Sequence, residues 1–549
     1  MTLIASQAGH LSSLATSPAA ITAFLLLQAL ILYRYISGTG QSHAFKPLPG
    51  PRGIPFLGPA RELSQRGKTL LWVKYAEWAK TYGDVYMFEV LGTKTVVLNS
   101  AHAVTELLGR RSWNYSDRPE LPMAVDYAGW GWNMGFIKRG AEWRSHRRIF
   151  QQSFTGSLLP NYYPIQRRST RGFVRSVLED PDNFFKNARS HSGGILLEII
   201  YGYKTREEQQ AHVKMADRAT VGLAATGNHG SFLVDYFPVL RWLPAWLPGG
   251  GFKSQGKAWA DLAEELKDRP WKQIKEAIRN GVDLPPSFCT KNIEKFGISV
   301  DGSDSNVKDE EGLDLEDVVR SVAGISFVGG VDTSVSALLS FILAMQINPK
   351  AQARAREEID AVMADNGGGL PDFEDRDQGK LPYVEAILWE VVRWKPVSPV
   401  AVSHYCINDD VFDGYFIPGG TAVVGNMWPI LHNEELYGPD PYSFNPDRFV
   451  PDGKEDGWTA PPDPRLYSFG YGRRICPGRH LAWNTLWLTM VYLLATVEIK
   501  KPLDAQGKEI DQEVEYSDGL ISHPHPFEAR FIARSPEAVK RLEEPLDCE

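Results

Sequence analysis

Phe469-Gly470-Tyr471-Gly472-Arg473-Arg474-Ile475-Cys476-Pro477-Gly478 decides how the rest of this chain is read. A single cysteine stands between a glycine-rich turn and a helix-like run from His480 to Leu494. Glycines at 470, 472 and 478 let a backbone pass close to something large and flat. A helix starting after Cys476 supplies N–H groups and a positive dipole end, which favour a thiolate over a thiol. Arg473 and Arg474 add positive charge nearby. A lone activated thiolate with room for a planar partner points to an axial ligand of heme iron, where it favours O–O cleavage. For the loop alone, a buried structural cysteine is the plainer alternative.

The chain has 549 residues, 43% hydrophobic and 11% aromatic, as in a globular protein with a large core. No internal repeat and no long linker breaks it after residue 60, so one large domain is expected over 61–549. The net charge of −8 gives no argument for nucleic-acid binding. Cys289, Cys406, Cys476 and Cys548 are far apart and form no CxxC pair. That spacing argues against a disulfide scaffold or a zinc site and fits a reducing compartment.

Leu11 to Tyr33 carries no charged residue. As a helix, roughly 23 residues span about 35 Å, enough for a ~30 Å hydrocarbon core. No Lys or Arg precedes this stretch, whereas Arg34, Lys46 and Arg52 follow it, which places the body in the cytosol. Residues 1–40 are therefore expected to be a luminal tip and single-pass transmembrane anchor. A cleaved signal peptide would carry a positive n-region, absent here. Residues 41–60 contain Pro47-Leu48-Pro49-Gly50-Pro51, dense enough in proline to stiffen a hinge.

Periodicity in the body predicts helices over Leu71–Tyr82, Trp143–Phe154, Asp182–Tyr201, Glu207–Ala225, Ala258–Arg279, Leu315–Ile347, Ala351–Ala364 and Tyr383–Trp394. Short strands are expected at Val85–Val90 and Thr93–Leu98, strand and turn character at Val411–Val424, and hairpins beyond Pro502. Ser299–Gly312 reads as an acidic surface loop. The fold class is mostly α with minor β.

Glu390 and Arg393 share one helix face among apolar neighbours. A buried pair needs further partners, and Arg448 is a candidate third member. Gly329-Gly330 is expected to interrupt the long helix, at a cost easier to understand if a bulky planar group packs there. Asp332 and Thr333 bring an acid and a hydroxyl to the same place, a pair that can relay protons.

Phe469, Gly472, Arg474, Cys476 and Gly478 match Phe-x-x-Gly-x-Arg-x-Cys-x-Gly. With Glu390-x-x-Arg393, Arg448 and Gly329 to Thr333, the chain resembles the cytochrome P-450 superfamily from about residue 45 to 530. It looks most like fungal microsomal secondary-metabolism members similar to O-methylsterigmatocystin oxidoreductase. Gly329 stands where alanine is commoner in that pattern. The resemblance implies heme b with Cys476 as axial iron ligand and Asp332 and Thr333 as oxygen-handling residues. It places Trp143, Arg147, His404, Phe469, Arg474 and Gly478 at the cofactor, and makes Glu390, Arg393 and Arg448 structural. It implies a monooxygenase of the endoplasmic reticulum membrane, fed from NADPH by cytochrome P-450 reductase, with cytochrome b5 as a further candidate donor. Arg144, Arg148, Arg473 and Arg479 would offer a basic face to an acidic donor.

Met123–Phe136, Phe327–Gly330, Val397–Val402 and Gly519–Ile521 are expected to meet substrate; they are apolar and suit a terpenoid or polyketide. Asp126 could pair with an amine, but a loop cap is more ordinary. The rival readings are a reductase-independent isomerase or dehydratase with the same loop, and a non-catalytic heme- or sterol-binding membrane protein.

Overall fold

The computed structural model describes residues 45–63, 69–227, 230–301, 307–451 and 459–543. Helix α1 (Leu71–Tyr82) leads into the hairpin of β1 (Val85–Val90) and β2 (Thr93–Leu98). Leu91 and Gly92 both have positive φ, 49° and 83°, the two-residue turn that suits the twist of a hairpin. Helices α2 (Ala141–Phe154), α3 (Tyr163–Glu179), α4 (Phe184–Tyr201), α5 (Arg206–Thr226), α6 (Phe252–Arg279) and α7 (Phe288–Phe296) follow. Next come α8 (Leu315–Ile347), α9 (Pro349–Asp365) and α10 (Pro382–Trp394). Strands β3 (His404–Cys406) and β4 (Thr421–Gly425) precede α11 (Arg479–Thr496), β5 (Val497–Lys500) and β6 (Arg530–Ala533).

One sheet runs β1-β2-β4-β3, parallel only between β2 and β4. All five residues of β4 are buried, so Thr-Ala-Val-Val-Gly shows no alternation. Helix α8 is apolar all round and is therefore the core helix. Asp314 caps its start, accepting from the Glu316 amide at 3.0 Å. Among the described residues it alone is long and apolar enough to cross a membrane, but most of that stretch is buried inside the body. The expected anchor and Cys548 lie outside the described residues.

Helix α8 runs unbroken through Gly329-Gly330, so the expected interruption is absent. The two glycines serve different ends. A Cβ on Gly330 would stand 2.6 Å from Leu196 Cδ1, so glycine there lets α4 approach closely. A Cβ on Gly329 would meet nothing nearer than 3.9 Å.

The described part of the proline-rich segment lies against the sheets. Lys46 and Pro47 pair with Tyr415 and Phe416, and Met87 N–H donates to Pro49 O at 2.9 Å. Helices α3 and α7 were not anticipated. The first is arginine-rich and buries mainly Phe173, Val174 and Val177. The expected C-terminal hairpins reduce to β6, paired with β5, and isolated bridges such as Tyr516 to Pro524.

Candidate active site

Cys476 lies between a short 3-10 turn, Gly472–Arg474, and the start of α11. Its amide donates to Phe469 O at 2.7 Å, which closes the loop. Gly470 and Gly472 have φ of 76° and 52°, where glycine is at ease. A Cβ on Gly472 would stand 2.3 Å from Leu108 O, so the close approach here is to the protein's own backbone. Gly478 has ordinary φ, and the amides of Gly478 and Arg479 interact with the sulfur. Burial pushes the Cys476 thiol up, and those amides with the charges of Arg147 and Arg479 pull it back only in part. A coordinated metal ion would deprotonate it outright.

The sulfur faces a cavity of about 290 Å³. Phe469 and Gly470 line it beside Cys476, and Gly329, Thr333 and Ala337 line it from α8. Val397, Ala401 and Val402 add apolar wall, while Arg118, Arg474 and His404 supply polar groups. Cys406 is also buried, but its thiol donates to Asn408 O at 3.0 Å and it does not line this cavity. Cys289, on α7, is packed in the core.

Three arginines gather around the cavity and the loop. Arg118 donates to the carbonyls of Gly135, Val402 and Ser403 at 2.7–2.8 Å. Arg474 donates to Ser116 O and Ile137 O at 2.7 and 2.9 Å, and its guanidinium stacks 4.6 Å from the Trp143 ring centre. Arg147 donates to Ile475 O at 2.7 Å. None of the three forms an ion pair among the described residues. Burial lowers Arg118 well below its ordinary range, with Arg474 adding repulsion, and lowers Arg474 to about 10. His404 Nδ1 lies 2.7 Å from Tyr115 O, and burial pushes this ring down to about 3. Asp117 attracts Arg118 and Arg474 without forming an ion pair with either. Buried cations with so little carboxylate compensation, beside a cysteine lining a largely apolar cavity, fit heme: the cations suit its two carboxylates and the sulfur suits its iron.

Thr333 Oγ1 donates to Gly329 O at 2.9 Å and lines the cavity. Asp332 points elsewhere. Its carboxylate accepts from Arg189 at 3.0 Å and lies 3.1 Å from His523 Nε2. Burial alone would raise the Asp332 carboxyl, but His523 and Arg189 hold it below its ordinary value. Arg189 also pairs with Asp217 on α5.

Glu390, Arg393 and Arg448 meet with almost no exposure. Arg393 grips Glu390 through two bonds of 2.6 and 2.7 Å, and Arg448 Nε donates to the same carboxylate at 3.1 Å. The Asn445 amide adds a fourth bond at 2.7 Å.

The expected aromatic substrate contacts fall elsewhere. Trp130 and Trp132 pack on each other at 5.3 Å in the core, and Phe327 is fully buried beside Tyr201. Asp126 is exposed and outside the cavity. The expected basic face is partly covered: Arg144 pairs with Glu311 at 2.7 Å, and Arg148 with Asp309 and Glu310. The sequence spacing assigns no role to Arg118, Arg189 or His523.

The family model described as cytochrome P450 matches residues 48–531. The chain belongs to the cytochrome P450 family. It is similar to cytochrome P450 monooxygenase COX2 of Coprinopsis cinerea, 37% identical over 91% of this chain and 92% of that protein. It is also similar to tryptamine 4-monooxygenase of Psilocybe cyanescens, 35% identical over 90% of this chain and 94% of that one. A zebra fish cytochrome P450 solved with abiraterone shares the fold, with a TM-score of 0.63 at 21% identity, covering 84% of this chain and all of that one. The protein is thus a P450 monooxygenase of the fungal type, an oxidoreductase that uses heme held by a cysteine thiolate.

Proposed function

We propose that this P450 inserts one atom of O₂ into an apolar secondary metabolite of terpenoid or polyketide type, with electrons from NADPH through a membrane reductase. The observation that carries this is the cavity itself, where one cysteine faces the hydroxyl of Thr333 between apolar walls. Heme bound there supplies dioxygen activation. Cys476 is its ligand, Arg118, Arg147, Arg474 and His404 hold its carboxylates, and Trp143 steadies Arg474. Thr333 orients the hydrogen-bonded path that brings protons into the cavity, and Asp332 connects that path to the surface through Arg189 and His523. An acidic donor docks on Arg473 and Arg479, which form no ion pair among the described residues; Arg479 lines a surface cavity with the exposed Leu466.

A membrane setting draws support from the surface. Trp242 and Trp246 are each 81% exposed and Val239 70%. Phe56 and Leu57 are also exposed, and Phe56 lies 6.2 Å from Phe237 between ring centres. Such aromatic surface suits a membrane interface.

Labelled dioxygen, reductase and NADPH test the proposal. One labelled atom should enter product only when reductase is present; product formed without NADPH would favour the isomerase reading. Cys476→His should lose the thiolate absorbance band of the reduced carbon-monoxide complex and all turnover, whereas Cys406→Ser should keep both. Thr333→Ala should raise hydrogen peroxide per NADPH and lower coupled product by about 10²-fold or less, since water can substitute. Unchanged coupling there would remove Thr333 from the proton path.

A further inference from the structure

Lys395 follows directly after α10, and its ammonium is surrounded by rings. Nζ lies 5.0, 5.8 and 4.8 Å from the ring centres of Trp394, Trp428 and Tyr516. It lines a cavity of about 500 Å³ together with Trp72, Pro396, Pro399, Trp428 and Tyr516. This cavity is separate from the heme cavity. Lys395, Pro396 and Pro399 face it, while Val397, Ser398 and Ala401 of the same segment line the other.

One donor in this cavity lacks an acceptor. The Lys395 ammonium forms no hydrogen bond or ion pair among the described residues, and burial, with no carboxylate to offset it, lowers it. Glu515 and Asp518 also line the cavity but are exposed, and Asp518 accepts from the Leu71 amide at 3.5 Å. Ring faces attract a cation without neutralising it, so the charge remains open to an anion. A charged donor with rings and prolines beside it selects an anionic head on an apolar body.

We propose that this cavity is a second ligand site, for an organic carboxylate with an apolar body, in which Lys395 binds the carboxylate. The site owes nothing to the heme chemistry and stands whatever the substrate proves to be.

The test uses heme-loaded protein and fluorine NMR. The probes are 4-(trifluoromethyl)phenylacetate and the matching neutral alcohol, 2-[4-(trifluoromethyl)phenyl]ethanol. The carboxylate should bind about tenfold tighter or more, the worth of a hydrogen bond to a charged group. Lys395→Met should bring the two probes to within about twofold, at unchanged heme content. Lys395→Gln, which keeps a donor on a shorter side chain but not the charge, should do the same. Imidazole bound at the heme should not displace the carboxylate. Equal affinities in the unaltered protein, a preference that survives Lys395→Met, or displacement by imidazole would each overturn the proposal.

Discussion

Two groups of buried arginines differ in what their charge meets. Arg393 and Arg448 share the carboxylate of Glu390 and direct remaining N–H groups at the carbonyls of Leu431, Pro441 and Tyr437. Arg118, Arg147 and Arg474 meet carbonyls but no carboxylate in an ion pair. Carbonyls satisfy N–H groups, yet they do not cancel a buried positive charge. The Glu390 group is therefore complete within the chain, whereas the other, under the function proposed above, would be completed by the carboxylates of heme. On that proposal one belongs to the scaffold and the other to the cofactor, although both are buried arginine clusters.

The largest effect should come from making the first group resemble the second. Glu390→Ala leaves Arg393 and Arg448 buried without their carboxylate and should cost about 3–5 kcal/mol. That is a large part of an ordinary stability of about 5–15 kcal/mol, so little soluble protein should be recovered. Normal yield and heme content would end the distinction. Arg118→Met tests the opposite side. It removes a buried cation that no carboxylate of the chain pairs, so folded yield should be kept. Heme should pass to a scavenging acceptor protein about 10–100-fold faster, the equivalent of about 1.5–3 kcal/mol for a charged hydrogen bond. Loss of folding with unchanged heme retention would show that Arg118 is scaffold after all.

The smallest effect is on pH dependence. Burial, helped by Arg118 and Arg474, pushes His404 down to about 3, and burial with Arg393 does the same to His432. The folded value lies below the unfolded value of 6.5, so in between only the unfolded state binds the proton. The contribution is whole above about pH 6.5 and falls with pH by about 1.4 kcal/mol per unit. Bound heme carboxylates would offset Arg118 and Arg474 at His404 but not Arg393 at His432. Urea midpoints from about pH 5 to pH 7 should therefore show a smaller slope change for His404→Gln than for His432→Gln in heme-loaded protein. Equal changes would mean that the two arginine groups carry the same field.

Much of this was legible where the signal is local. Leu71–Tyr82, Val85–Val90, Thr93–Leu98 and Leu315–Ile347 have the bounds that periodicity suggested, because Gly83, Leu91-Gly92 and Asp314 mark their ends. The cysteine loop is ten consecutive residues, so its chemistry could be read in line. Helix α3 escaped because its arginines mask a narrow apolar stripe. Arg189 and His523 escaped because they reach Asp332 from 143 and 191 residues away, and no spacing rule covers that. The basic face was misjudged for a related reason: the acidic loop reads as solvated, yet Asp309 to Glu311 fold back onto α2.

Gly329 and Gly330 are neighbours with opposite tolerance for change. A Cβ at position 330 would run into the end of the Leu196 side chain on α4, which would have to shift. Position 329 opens on the cavity with nothing closer than 3.9 Å to a new Cβ. Where the family pattern more often has alanine, this chain carries one methyl group less over the reacting space. Bulk can be added or withdrawn at 329 without repacking the scaffold. A substitution at 329 would thus reshape this cavity and leave the packing of α4 on α8 as it is.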